Sequence, residues 1–221
     1  SRVRDMGYEL ISLEEAARRL AAGETPRRPF AVFTLDDGYV DNMIHAWPVF
    51  RKHGCPFTIF VSPSITEGRC ELWWLGLEAV IAAETQIDTK IEGQVVSAAT
   101  VTDAQKTQAF DRLYWPLRSM ENRAQRKWIN ALCDGAGIDL SAICRAAAMS
   151  WEDLRRMAKD PLCAIGAHTM NHYALSRLEP DEVVREAVES AGEIARQLGR
   201  MPKLFAYPYG DETSAGPREF A

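Results

Sequence analysis

Three short apolar runs in this chain each end abruptly in a cluster of polar residues, and that repeated pattern restricts the fold more than any other feature. Phe30-Ala-Val-Phe-Thr-Leu35 leads into Asp36-Asp37-Gly38, Leu162-Cys-Ala-Ile165 into Gly166-Ala-His168, and Leu204-Phe-Ala-Tyr207 into Pro208-Tyr209-Gly210-Asp211. Uninterrupted β-branched and aromatic runs of this length are the pattern of strands buried on both faces, which occur in parallel sheets covered by helices. Parallel α/β folds place their chemistry at the C-terminal ends of such strands. The expected class is therefore α/β, with a site assembled from 36–38, 168 onward and 207–211.

The intervening segments fit that expectation. Ser12 and Glu15 have the spacing of a capping box ahead of a short helix over 12–22 that stops at Gly23. A helix is predicted from about Asp41, with Pro48 placed to kink it, and a second buried strand at Phe57-Thr-Ile-Phe-Val61. Strand, helix, strand implies parallel pairing. Residues 72–84 read as an amphipathic helix, 86–99 as a hairpin turning at Glu92-Gly93, and 103–158 as several helices that place Trp115, Trp128 and Trp151 in core-like contexts. Residues 64–150 thus form a largely helical insertion within a single domain spanning 1–221. Val183, Val184, Ala187, Val188, Ala191, Ile194, Ala195 and Leu198 follow a 3.6-residue period and predict a helix over 181–198.

Bulk properties exclude several classes. A net charge of -5 lacks the positive field of a phosphate-tracking nucleic-acid binder, so no nucleic-acid partner is expected. No apolar stretch approaches the roughly 20 residues of a membrane span, and the visible N-terminus has no signal-peptide core. The five cysteines, at 55, 70, 133, 144 and 163, form neither C-x-x-C pairs nor a disulfide framework. Reduced thiols are expected, which favours a cytoplasmic setting without fixing it.

Asp36-Asp37-Gly38 alone reads equally as a turn after a strand. His168 and His172, two of the four histidines, change that balance, because i, i+4 spacing can bring both imidazoles to one side of a helical turn around a shared ion. Two imidazoles and one carboxylate leave a coordination position open for water, whose pKa an ion lowers, and a second carboxylate to take the proton. Two histidines and one carboxylate also make the facial triad of non-haem iron oxygenases, but those are built from many short alternating strands, and the triad leaves one Asp unused. Phosphoryl transfer from an aspartate after a strand leaves the histidine pair unexplained. His45 and His53 are assigned to a structural role.

Thr34-Leu35-Asp36-Asp37-Gly38, His168-Thr169-Met170-Asn171-His172 and Phe205-Ala206-Tyr207-Pro208-Tyr209-Gly210 resemble, in order, three motifs of the NodB-like polysaccharide deacetylases, carbohydrate esterase family four. The resemblance runs from about residue 7 to the end, interrupted by the insertion. It implies a distorted (β/α) barrel with fewer than eight regular strands, open along one side as a groove for an acetylated glycan. It further implies that Asp37, His168 and His172 hold a metal, usually Zn2+ in this family, though Co2+ or Mn2+ suits the same donors. Asp36 would be the general base, and the Tyr209 backbone N–H would stabilise the oxyanion, with Tyr39, Pro208 and Tyr209 lining the substrate groove.

Two features depart from the family pattern. No histidine follows His172, where the family carries a Leu-x-His acid, so the C-terminal part of the domain is expected to be missing from the chain, which stops at Ala221 as a helix begins at Pro217. Ala206 stands where many relatives have an arginine that orients the base. The resemblance therefore also accommodates a non-catalytic glycan-binding domain, or a hydrolase of small cyclic amides on the same fold. Trp73 and Trp74 are candidates for a sugar-stacking platform, with core burial of at least one the simpler reading.

Overall fold

The structure, a computed structural model, describes residues 2–220. After a short helix α1 (Arg2–Asp5), strand β1 (Glu9–Leu10) pairs in parallel with β2 (Phe30–Ala31). Between them α2 (Leu13–Ala21) starts at Ser12, whose side chain accepts the Glu15 N–H. The predicted run 30–35 breaks at Val32, and its second half, β3 (Phe33–Leu35), belongs to a different sheet.

That sheet is parallel, in the order β3, β4 (Phe57–Val61), β7 (Cys163–Ala167). Strand β4 lies in the centre, and all five of its residues are buried. Strand β3 is an edge: Phe33 and Leu35 are half-buried and Thr34 is exposed, so the expectation of burial on both faces fails there. The core beneath the sheet is built from Phe57, Ile59, Val61, Ile165 and Ala167 of the strands with Met149, Leu154, Met157 and Ile194.

The helix after β3 begins as a π-helical turn over Asn42–Ala46 before continuing as α3 (Trp47–Lys52). There the Trp47 N–H donates to Asn42 O, five residues back, and Pro48 next in the chain has no N–H to offer the Ile44 carbonyl. The short α4 (Pro63–Thr66) follows β4 directly.

Residues Arg69–Cys144 form a compact unit of their own, distinct from the unit made of the residues up to Gly68 and those from Arg145 onward. It holds α5 (Trp73–Ala83), the antiparallel hairpin β5 (Gln86–Ile91) and β6 (Gln94–Ala99), α6 (Asp103–Ser119) and α7 (Asn122–Gly135). The hairpin turns at Glu92-Gly93, both with positive φ, as a two-residue connection matched to strand twist demands. Trp73 is fully buried. Trp115 corrects the expectation of a core context, being 64% exposed. It lies two positions beyond the buried Leu113, roughly 200° around α6, so it faces outward. Trp128 is half-buried and donates its indole N–H to Lys90 O at 2.8 Å.

The chain continues through α8 (Leu140–Ala147) and α9 (Trp151–Met157), the latter opened by a capping box between Ser150 and Asp153. After β7, α10 (Pro180–Leu198) matches the expected helix, ending at Gly199 in the left-handed conformation, and α11 (Pro217–Phe220) closes the described chain. The buried face of α10 differs from the apolar stripe. Val184 and Val188 are 60% and 64% exposed, whereas Glu186, Ser190 and Ile194 are buried. The expected strand at 204–207 reduces to a single parallel bridge between Phe205 and Ala167. Ala167 donates to Leu204 O and its own carbonyl accepts from Ala206 N–H, each at 2.9 Å, and Pro208 just beyond has no N–H with which to extend the ladder. All five cysteines are buried and none is joined in a disulfide, and no helix among the described residues is long and apolar enough to cross a membrane.

Candidate metal and catalytic site

Strands β3 and β7 flank β4 and run in the same direction, so their C-terminal ends deliver Asp36-Asp37 and His168 to the same edge of the sheet. At that edge the backbone turns sharply. Gly38 N–H donates to Asp36 O at 2.8 Å, and Asp37 between them has φ 68, a three-residue turn centred on Asp37 itself. A non-glycine residue there carries strain of about 1–3 kcal/mol, a conformation characteristic of functional sites. Gly38 follows at φ 72 with little room for a side chain, since a Cβ would lie 3.1 Å from Val61 Cγ1. The turn separates the two carboxylates. Asp37 points inward and is nearly buried, whereas Asp36 stays exposed.

His168 and His172 are not on a helical turn, contrary to the spacing argument. Residues 168–172 form an irregular loop in which Thr169 (φ 62) and His172 (φ 55) both adopt left-handed conformations, and this loop brings the imidazoles together. Their ring centroids are 5.1 Å apart. The His168 main chain is pinned twice: its N–H donates to Val61 O at 3.0 Å and its carbonyl accepts the Ser62 hydroxyl at 2.6 Å. His172 N–H donates to Thr169 Oγ1 at 3.0 Å.

Asp37, His168 and His172 each offer a donor atom, and these lie within 4.8 Å of one another. Asp37 Oδ1 is 3.0 Å from His172 Nε2 and 3.6 Å from His168 Nε2. It is nevertheless a buried oxygen with no hydrogen bond of proper geometry. Such an oxygen, facing two ring nitrogens, is placed to share a cation with them.

The protonation states agree with that reading. His168 Nδ1 lies 2.9 Å from Ala206 O, a pure acceptor, so Nδ1 carries the proton and Nε2 presents its lone pair. Burial, helped by the neighbouring His172, pushes His168 down to about 4, leaving a neutral imidazole at neutral pH. Burial alone would raise Asp37, but His172, His168 and Tyr39 beside it hold its carboxyl below the usual carboxylate range. Asp36 shifts the other way: partial desolvation, then the Asp37 charge beside it, raise its carboxyl. Two adjacent aspartates with opposite shifts suit different roles, one an anionic ligand and one a proton acceptor. The residues present fit a divalent metal.

Tyr209 has φ 69, and its ring stands edge-on to His172 with centroids 4.8 Å apart. Tyr39 is half-buried and bridges Ala148, with Met149 N–H donating to Gly38 O at 2.9 Å. Pro208 is buried. His45 and His53 are exposed and away from the donor set. Sequence reasoning did not find Ser62 or the Ala206 carbonyl. The first is a serine after a strand, without a distinctive neighbour, and a main-chain acceptor leaves no residue-type signal.

Comparison with known proteins bears on these observations. The family model for polysaccharide deacetylases matches residues 96–216, over half of the chain. The Bacillus subtilis (strain 168) protein YxkH, whose name provisionally assigns it to the polysaccharide deacetylases, is 39% identical over 57 residues, 26% of this chain and 20% of that protein. The chain thus aligns with only about a fifth of this curated relative. Among solved structures, the Streptococcus pyogenes deacetylase PplD in complex with acetate superposes with a TM-score of 0.55 at 19% identity, covering 96% of this chain and 61% of that one. The BpsB deacetylase domain from Bordetella bronchiseptica gives 0.56 at 16% identity over 98% and 68% of the respective chains. IcaB from Ammonifex degensii gives 0.54 at 21% identity over 99% and 65%. At these identities the structural likeness establishes the fold.

Proposed function

The chain belongs to the polysaccharide deacetylase family, and on that premise we propose that it hydrolyses N-acetyl or O-acetyl groups from a poly- or oligosaccharide. The observation that carries this reading is the convergence of Asp37, His168 and His172 at the C-terminal edge of a parallel sheet, with Asp36 alongside. A divalent ion, of which Zn2+ is the first candidate and Co2+ or Mn2+ the others, supplies Lewis-acid polarisation and a water of lowered pKa when bound.

Asp37 would contribute an anionic oxygen and the two histidines one Nε2 lone pair each. Asp36, exposed and with a raised carboxyl, takes the proton from the attacking water and returns it to the departing sugar nitrogen or oxygen as the bond between that atom and the acetyl carbon breaks. The Tyr209 main-chain N–H donates to the oxyanion formed when the acetyl carbonyl becomes tetrahedral, a type of contact worth about 3–4 kcal/mol in acyl transfer. Tyr39 and Tyr209 flank the groove that admits the sugar. The sheet is read as part of a distorted (β/α) barrel, and residues 64–150, around the compact unit Arg69–Cys144, as an insertion in a single deacetylase domain.

Acetate release from oligomers of N-acetylglucosamine by the zinc-supplemented chain tests the reading. Wild type should release acetate, and Asp36→Asn should lower the rate roughly 100-fold or more, as loss of a general base does. An Asp36→Asn rate equal to wild type removes Asp36 from the mechanism. Oligomer binding without acetate release supports the glycan-binding alternative.

A further inference from the structure

The buried face of α10 contains a carboxylate where a core-packing helix would carry an aliphatic residue. Glu186, Ser190 and Ile194 form that face, while Val184 and Val188 of the same helix are exposed. Burial raises the Glu186 carboxyl, and the hydrogen bonds from Asn171 oppose that rise.

Those hydrogen bonds come from both donors of one residue. Asn171 N–H donates to Glu186 Oε2 at 2.8 Å and Asn171 Nδ2 donates to Oε1 at 2.6 Å. The residue before is held as well: Met170 N–H donates to the Glu186 carbonyl at 3.0 Å, and Met170 O accepts from Ser64 N–H of α4 at 3.1 Å. The residue after is His172, in a left-handed conformation that a non-glycine residue keeps only where its surroundings over-determine it.

We propose that Glu186 is a positioning residue: by gripping both donors of Asn171 it sets the 168–172 loop so that His172 Nε2 faces Asp37 and His168. The proposal rests on the reading of those three residues as a metal site. A carboxylate that only filled space would not need to engage both donors of the residue between two candidate ligands. Outer contacts of this kind orient ligands and control metal affinity by roughly 10- to 100-fold.

The test is zinc titration of the metal-free chain by calorimetry, paired with its thermal unfolding. Wild type is measured first, and failure to bind zinc would overturn the metal-site reading and this proposal with it. Given wild-type binding, Glu186→Ala and Asn171→Ala should each weaken zinc by roughly 10- to 100-fold. The double variant should be no weaker than the worse single one, because the two residues share one interaction. Glu186→Gln keeps an oxygen for Asn171 N–H and, with the Asn171 amide turned over, a second bond, so it should recover most of the affinity. Asn171→Ala, which loses the Nδ2 bond but keeps the N–H bond to Glu186, carries the test if Glu186→Ala does not fold. A purely structural Glu186 would lower the unfolding midpoint yet leave zinc affinity unchanged. Equal affinity in wild type and the folded alanine variants, or losses that simply add, would overturn the proposal.

Discussion

The two halves of the site are held very differently. The histidine loop is fixed by main-chain bonds to Val61, Ser64 and Glu186, by the Ser62 hydroxyl and by the Ala206 carbonyl, and both histidines are buried. The aspartate turn rests on its own three-residue bond, on the Gly38–Met149 contact, on a long 3.5 Å bond from Asn42 Nδ2 to Asp36 O and on Tyr39 beside Asp37, and it leaves Asp36 exposed. A ligand must stay where the ion needs it, whereas a base must meet solvent and substrate. The difference in restraint therefore matches the proposed division of labour, with Asp37, at the centre of the turn, carrying the strain of joining the two.

The strongest way to break this comparison is to remove a restrained candidate ligand. His172→Ala should cut zinc affinity, read by calorimetry, by more than the roughly 100-fold that outer contacts control. Next is the strand that delivers the loop. A Cβ at Gly166 would stand 2.5 Å from the Phe60 ring and 3.0 Å from Leu204 O, a backbone atom that cannot swing aside. Gly166→Ala should destabilise the chain by about 3 kcal/mol, the upper part of the range for overpacking, in denaturant titration. On the aspartate side, Gly38→Ala meets a positive φ and the Val61 methyl at 3.1 Å, and about 1–2 kcal/mol is expected. The smallest effect belongs to α10. Val184→Lys should change stability by less than about 0.5 kcal/mol, since Val184 is exposed despite lying in the apolar stripe. A loss of several kcal/mol there would restore the face read from periodicity.

That last contrast shows where the sequence was legible. Strand β4 was plain because every position in Phe57–Val61 is apolar or Thr and every one is buried. Strand β3, with a similar composition, is an edge, and composition does not record strand order. The extent of α10 followed from its period, but the period of Val183, Val184, Ala187 and Val188 covers more than one face. Tertiary demand at the 168–172 loop selected the side carrying Glu186. The histidine spacing correctly brought two rings together for the wrong local reason, because left-handed residues in a loop can achieve what a helical turn would. The proposed ligands and base were visible as side-chain types, while the restraints on them are largely main-chain groups.

The division between the two aspartates is the centre of the account, and zinc stoichiometry of Asp36→Asn against Asp37→Asn, measured by mass spectrometry on chains loaded and then desalted, tests it most directly. Asp36→Asn should retain about one zinc per chain, like wild type, and Asp37→Asn should lose it. Retention by Asp37→Asn, or loss by Asp36→Asn, would contradict the assignment of ligand and base.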